Sequence, residues 1–325
     1  MYKGHKDIIN AVSIHPTEPV FASASGDSTI RIFDYELKDL IVILKGHTHS
    51  VNSVAWEKDV LVSGSSDMTL KLWKSANKTN ENDFPEFFCL KTLIGHEHSV
   101  SYVYNIKDTD ITVSCSRDTT IRFWDRGTSY CRRTINQFHT EWVRCCDSNT
   151  DYFLSTGNDK KVFVFQMSSI LNFDKSNTTV DCVSCFEVHD NFVEALKVYQ
   201  KKSLYDNKTV CFTASRDKSI CIWNFLTGNL LLEFKGHENW VKGLSLIEEH
   251  DYLISVGEDK TIRIWDLKKK KQYSIKHNCH EHFISAVDYH PEYKILVTGS
   301  VDMQTKVWKV INSTAEDLLG ALANS

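Results

Sequence analysis

A chain of 325 residues, 42% apolar and 11% aromatic, is long enough for two ordinary domains and rich enough for a large core. Its formal net charge of −4 argues against a general nucleic-acid or membrane binder, and no apolar run approaches the length of a membrane span. Ten cysteines lie scattered without framework spacing and the N-terminus does not resemble a signal peptide, so reduced thiols in the cytosol are expected.

In chain order, seven copies of one pattern occupy residues 7–45, 49–94, 98–137, 141–187, 191–235, 239–278 and 282–310. The first reads as four short strands, Ile8 to Ile14, Val20 to Ser25, Ile30 to Tyr35 and Leu40 to Leu44, separated by turn residues. The second carries a polar insert, Lys74 to Glu86, expected to be a disordered loop. The third is the most regular. The fourth has a divergent third strand, Lys161 to Gln166, and a polar stretch from Asn172 to Thr179. Extra residues in the fifth, Gln200 to Lys208, fall between its first and second strands. The sixth contains Lys268-Lys269-Lys270-Lys271 in its outer turn, a solvated run that by itself gives only non-specific attraction to nucleic acid. The seventh ends before an outer strand, and only Met1 to Lys3 precede the first Gly-His pair. The missing strand is therefore expected from the tail or from upstream sequence. Within the tail, Thr314 to Asp317 ahead of Leu318, Leu319 and Leu322 also reads as the start of a short amphipathic helix.

Each copy has a histidine (His5, His47, His96, His139, His189, His237, His280) and, 20 to 28 residues later, an aspartate (Asp27, Asp67, Asp118, Asp159, Asp217, Asp259, Asp302). A hydroxyl residue stands four before each aspartate and a large aromatic six after it. A repeat of about 40–45 residues with Gly-His early and Trp-Asp late resembles the WD-repeat propeller blade. The resemblance implies an all-β fold, a seven-bladed WD-repeat β-propeller over residues 1–310, with 311–325 as a tail forming a closing strand or short helix. It also places the aspartate in the turn between second and third strands, the histidine between blades, and all three polar insertions on the opposite face. Buried polar groups must be hydrogen-bonded, and aspartate, histidine, hydroxyl and indole can satisfy one another in a chain. Phe33 and Phe165 lack the indole donor, so the first and fourth blades should have shorter networks. Seven equivalent His-Asp-Ser sets without a glycine-flanked nucleophile read as scaffold rather than as a hydrolase triad. A lone Cys182-x-x-Cys185 pair is a weak zinc signal, and no metal or cofactor is expected.

Function must then come from the surface. Three residues past each histidine the first three copies have Ile8, Ser50 and Ser99, whereas the last four have Trp142, Phe192, Trp240 and Phe283. Cations gather in the same sector: Arg117 and Arg216 precede their aspartates, Lys160, Lys218 and Lys260 follow theirs, and Arg144 and Lys242 lie five past their histidines. Glu194 and Glu258 interrupt it. Tryptophan and arginine often dominate binding energy at interfaces, so this arc predicts an acidic protein partner. For any one residue, plugging the gap between blades or pairing with a turn aspartate is an equally good account. For the cluster, interaction is favoured. Single-stranded RNA also suits aromatic–basic grooves, but the acidic balance and the lack of an RNA-binding motif argue against nucleic acid.

The stretches Leu44 to Thr48, Ser66 to Trp73, Glu141 to Arg144, Gly236 to Gly243, His280 to Phe283, Thr298 to Asp302 and Lys306 to Trp308 resemble the lissencephaly protein family, whose fungal members are called NudF or Pac proteins. The resemblance implies a non-enzymatic regulator of cytoplasmic dynein acting in the cytoplasm on the cytoskeleton, at microtubule ends and the spindle pole, in nuclear migration and spindle positioning. Its ring would bind the motor domain of the dynein heavy chain through Arg117, Arg144, Arg216, Trp240 and Lys260, with Trp142, Phe192, Lys242 and Phe283 as supporting rim. A second contact, near the base of the stalk, would use Thr92, Glu97 and His98, of which Thr92 is the looser match. The implied mechanism is allosteric and works only through differential affinity for two motor states. The family's N-terminal dimerisation segment falls outside this sequence, so a monomer without two-ring avidity is the expectation. The resemblance leaves room for a NudE-type coiled-coil adaptor and for the animal family's role beside an acetylhydrolase. A generic scaffold ring, such as a ubiquitin-ligase receptor or an RNA-processing subunit, is the alternative; no targeting box supports it.

Overall fold

The computed structural model describes residues 1–75, 87–173, 180–199, 209–310 and the short strand 319–321. Seven four-stranded antiparallel sheets follow one another, each with its strands in chain order from the centre outward. The inner strands are Ile9–Ile14, Val51–Glu57, Val100–Asn105, Val143–Ser148, Val193–Val198, Val241–Ile247 and Ile284–His290. The last inner strand lies against the first and closes the ring. Sandwiching of each sheet between its neighbours explains the burial pattern. In the third blade the second strand, Ile111–Ser116, is buried at every position, whereas the outer strand, Cys131–Ile135, is half-buried or exposed until its last residue. The core is accordingly a series of wedges between blades, such as Ile121 and Phe123 against Val143 and Phe153. Each such side chain contributes roughly 1.5–3 kcal/mol by leaving water.

The repeated polar residues form one device seven times. The aspartate's Oδ1 accepts the N–H two residues on, at 2.9 Å for Thr120, and this Asx turn puts the intervening residue in the left-handed region. Ser28, Met68, Thr119, Lys160, Lys218, Lys260 and Met303 all sit there, with φ between 62° and 74°. Oδ2 meets the histidine Nδ1 at 2.6–2.9 Å in every blade. The histidine Nε2 meets the hydroxyl at 2.6–2.8 Å. With Nδ1–H donating to the carboxylate, Nε2 accepts the hydroxyl proton and the hydroxyl oxygen is free to accept a further donor. That donor is the indole N–H of Trp73, Trp124, Trp223, Trp265 or Trp308, at 2.8–2.9 Å. In the first and fourth blades Phe33 and Phe165 pack in its place, Phe33 stacked at 5.3 Å on Phe21 and Phe165 edge-on at 5.1 Å to Phe138. The networks of those blades stop at the hydroxyl, as the sequence implied. All seven hydroxyl residues are fully buried, which removes them as nucleophiles.

These networks make stability depend on pH. Burial lowers the pKa of His5, His47, His96, His237 and His280 despite their aspartate partners. Burial alone would raise the carboxyls of Asp27 and Asp259, but hydrogen bonds from histidine, hydroxyl and backbone N–H hold both down at about 2. Below the ordinary histidine pKa of about 6.5 the unfolded chain binds protons that the folded rings do not, so stability is lost as pH falls through that value. The aspartates add a second loss below their unfolded pKa, about 3.9, again because the unfolded state is the one that protonates. The melting temperature should therefore decline steadily from about pH 6.5 and more steeply below about pH 4. A flat profile between about pH 7.5 and pH 5 in a thermal-unfolding series would contradict this.

Both ends of the chain meet on one strand, Thr305–Val310. Tyr2 forms an isolated bridge with Thr305, donating to its carbonyl at 2.8 Å and accepting from its N–H at 3.1 Å. Leu319–Ala321 pairs with Trp308–Val310 and supplies the fourth strand of the seventh blade. The candidate helix start at Thr314 to Asp317 lies outside the described residues, as do 76–86 of the insert from Lys74 to Glu86, 174–179 of the stretch from Asn172 to Thr179, and the segment Gln200 to Lys208. One helix, Met167–Leu171, was not foreseen. Met167 and Ile170, three apart on one helix face, fill the base of the wedge between the third and fourth blades.

Candidate functional site

Every inner strand has a bulge against its second strand, at Ile9/Ala11, Val51/Ser53, Cys115/Ser116 on the partner strand in the third blade, Val143/Cys145, Val193/Ala195, Val241/Gly243 and Ile284/Ala286. The skipped residue lies five past the histidine, and a bulge re-aims its side chain. Those residues are Asn10, Asn52, Ser101, Arg144, Glu194, Lys242 and Ser285, and all seven line a central channel of about 580 Å3. The neutral four bind the next blade. Asn10 Nδ2 donates to Val51 O at 2.9 Å and Asn52 Nδ2 to Val100 O at 2.7 Å. The Ser101 and Ser285 hydroxyls donate to Val143 O and Ile9 O. The other three are charged and meet one another. Glu194, its side chain 6% exposed, accepts from Arg216 Nε and from Lys242 Nζ at 2.6 Å, with Arg144 Nη1 at 3.4 Å. Burial would raise the Glu194 carboxyl, but Lys242, Arg144 and Arg216 outweigh it and hold the pKa below its ordinary value.

Aromatic faces receive the same cations. The Arg117 guanidinium lies 3.6 Å from the centre of the Trp142 ring, and Arg216 lies 4.1 Å from Trp240 and 5.2 Å from Phe192. Arg144 is shared between Trp142 at 5.5 Å and Phe192 at 5.8 Å, and its Nε donates to Asn158 Oδ1 at 2.5 Å. Such stacks contribute about 0.5–2 kcal/mol each and pre-order long side chains. Arg117 is exposed and makes no ion pair among the described residues. The structure thus joins Arg117, Trp142, Arg144, Phe192, Arg216, Trp240 and Lys242 in one continuous arc across the third to sixth blades. Lys260 stands at its edge in the sixth-blade turn, donating to Glu281 O at 2.9 Å. Phe283 is separate, its ring edge-on to His282 at 4.4 Å. Thr92, Glu97 and His98 form a different place on the wheel. Thr92 is exposed on the outer strand Phe87–Ile94 and accepts from Lys71 Nζ at 2.9 Å. Exposed Glu97 and His98 follow the structural His96, with Glu97 N donating to Asp118 at 3.0 Å.

Comparison with known proteins agrees with this architecture. A model of the WD domain, G-beta repeat, matches residues 1–34, 38–74, 87–125, 129–166, 180–224, 228–266 and 270–309. The chain is 35% identical to nuclear distribution protein PAC1 of Arthroderma benhamiae over 329 residues, covering 92% of this chain and 68% of that protein. The chain belongs to the PAC1/nudF family of nuclear distribution proteins. Nuclear distribution protein nudF of Aspergillus niger is 34% identical over 89% of this chain and 66% of its own, and PAC1 of Yarrowia lipolytica 33% identical over 94% and 74%.

Two features of this PAC1/nudF-type ring escaped the reading of the sequence. Glu194, which in the sequence interrupts the cationic arc, is its centre. The second is glycine beneath tryptophan. Two residues before the turn aspartate, five blades have serine, at Ser25, Ser65, Ser116, Ser215 and Ser300, each donating its hydroxyl to a carbonyl of the histidine loop. The two exceptions, Gly157 and Gly257, are in the two blades that present Trp142 and Trp240. A Cβ would fall 2.0 Å from Trp142 O at the first and 2.6 Å from Trp240 O at the second. The co-occurrence of glycine and tryptophan in the same two repeats was the available signal.

Proposed function

We propose that this ring docks on the motor domain of the cytoplasmic dynein heavy chain and biases the motor between conformational states, as a non-catalytic regulator of nuclear distribution. The observation that carries the reading is the stacked series Arg117–Trp142 and Arg216–Trp240, an exposed Arg117 and half-buried Trp142, Arg216 and Trp240 held together on one face in a family named for nuclear distribution. Interface hot spots have this composition, and a net positive arc suits an acidic motor surface. Arg117, Arg144, Arg216, Trp240 and Lys260 form the main contact, supported by Trp142, Phe192, Lys242 and Phe283. Thr92, Glu97 and His98, away from the arc, serve a second contact near the stalk. The place of action is the cytoplasmic cytoskeleton, at microtubule ends and the spindle pole, and a NudE-type coiled-coil adaptor is a compatible further partner.

The test is a binding titration with a purified dynein motor domain. Replacing Arg117, Arg144, Arg216, Trp240 and Lys260 together with alanine should weaken binding by about a hundredfold or more, the combined loss of several hot-spot side chains. Equal binding by the two proteins, both shown to be folded, would remove the assignment.

A further inference from the structure

Three cations converge on one buried carboxylate at the channel mouth, and each comes from a different blade: Arg144 from the fourth, Arg216 from the fifth, Lys242 from the sixth. Glu194 itself is the bulged residue of the fifth inner strand, so its backbone is fixed by the fold. Each of its two oxygens is occupied, Oε1 by Arg216 and Arg144 and Oε2 by Lys242. Two of the three cations also lie on aromatic rings, and only one direction of approach satisfies both the carboxylate and the ring. For Arg216 that approach places Nε on Glu194 while the guanidinium carbon lies over Trp240 and Phe192. Without the carboxylate, three like charges would be crowded within one half-buried pocket and would separate toward solvent.

We infer that Glu194 is the positioning residue of the partner-binding arc, its negative charge being required for a surface that binds an acidic partner. The inference rests on the docking function proposed above and runs against simple charge counting. Counting charges, loss of Glu194 makes the arc one unit more positive and should tighten binding to an acidic surface. Positioning predicts the opposite, because scattered cations lose both their aromatic stacks and their spacing relative to the partner's carboxylates.

Two single variants, their double variant and the wild type are compared in two measurements. Glu194→Gln keeps the side-chain shape and removes the charge; Glu194→Gln with Lys242→Gln restores the net charge of the wild-type cluster with one cation fewer to repel. In titrations with the purified dynein motor domain, Glu194→Gln should bind roughly tenfold more weakly than wild type, as expected when a buried charge loses its counter-ion. The double variant should recover part of that loss, although Lys242→Gln alone should weaken binding. Binding by Glu194→Gln equal to or tighter than wild type overturns the inference. The second measurement needs no partner: the Nε–H resonance of Arg216 should be sharp and protected from solvent exchange in the wild type and lost or exchange-broadened in Glu194→Gln. An unchanged Arg216 signal overturns the inference even if the variant binds weakly, and loss of the Arg216 signal counts only where the rest of the spectrum keeps its native dispersion, which separates the effect from general instability. If the five-alanine variant binds the motor as well as wild type does, the docking function falls instead, and the arginine resonance alone judges Glu194.

Discussion

Replacing Asp118 with alanine is expected to lower the unfolding free energy by about 3–5 kcal/mol, the loss typical of a buried charged network deprived of one partner. Asp118 is 7% exposed and accepts four hydrogen bonds: from His96 Nδ1 at 2.7 Å, Glu97 N at 3.0 Å, and Thr120 N and Oγ1 at 2.9 and 2.7 Å. Burial alone would raise its carboxyl pKa, but those donors hold it below the ordinary range. Alanine takes this acceptor from all four donors, leaving only His96 Nδ1, 3.3 Å from the Thr120 hydroxyl, as an alternative for one of them, and each buried orphan costs about 1–3 kcal/mol before water repays part of it at the turn. The left-handed Thr119, φ 69°, also loses the Asx turn that maintains it. Urea unfolding at constant slope is the measurement. A change smaller than about 1 kcal/mol would mean that the turn tolerates its orphans and that the network contributes little.

Gly157→Ala should be the next most damaging change, at about 2–3 kcal/mol or more for forced overpacking. The new methyl would fall 2.0 Å from the Trp142 carbonyl oxygen, 2.9 Å from its carbon and 3.0 Å from Val143 Cα. All three are backbone atoms, so no rotamer can move aside, and the loop presenting Trp142 must shift. A shift carries the indole away from Arg117, now 3.6 Å from its centre, and should weaken partner binding as well. Gly257→Ala meets the Trp240 carbonyl at 2.6 Å and should rank second. Gly127→Ala, whose nearest neighbour is the Asp125 carboxylate at 3.3 Å, should be close to neutral. Melting temperatures of the three variants test the order. An alanine at 157 that melts with the wild type would show that the loop moves freely and that glycine there does not place the tryptophan.

The wheel was legible because its determinants are local and repeated. A histidine, hydroxyl, aspartate and aromatic at fixed offsets define one turn and one strand pair, and each copy satisfies its own polar groups; the absence of the indole bond at Phe33 and Phe165 could be anticipated on the same ground. The rim was legible by position, since offsets from histidine and aspartate place Trp142, Arg144, Arg216 and Trp240 on one face. What the offsets could not convey was pairing between blades. Glu194 looks like a flaw in a basic arc until the bulges bring Arg144 and Lys242, and the fifth-blade turn brings Arg216, to it from distances of 50, 48 and 22 residues in sequence. That the tail could close the seventh blade was legible from the missing outer strand, but which residues pair was not, because Leu319–Ala321 is chosen by the vacant edge of Thr305–Val310 rather than by its own composition.

The ring of bulged residues has a further consequence. A wheel of near-identical sectors would accept a visitor in several rotational settings, and a regulator that could sit in any of them would transmit no defined geometry. Here Asn10, Asn52, Ser101 and Ser285 turn their polar atoms sideways into neighbouring sectors, while Arg144, Glu194 and Lys242 spend theirs on each other. Among the bulged residues, the charged ones therefore stand together on one side of the hub. That break in symmetry marks one sector of the wheel, three adjacent spokes, as different from the rest, so a visitor that reads charge meets a different surface at each angular setting.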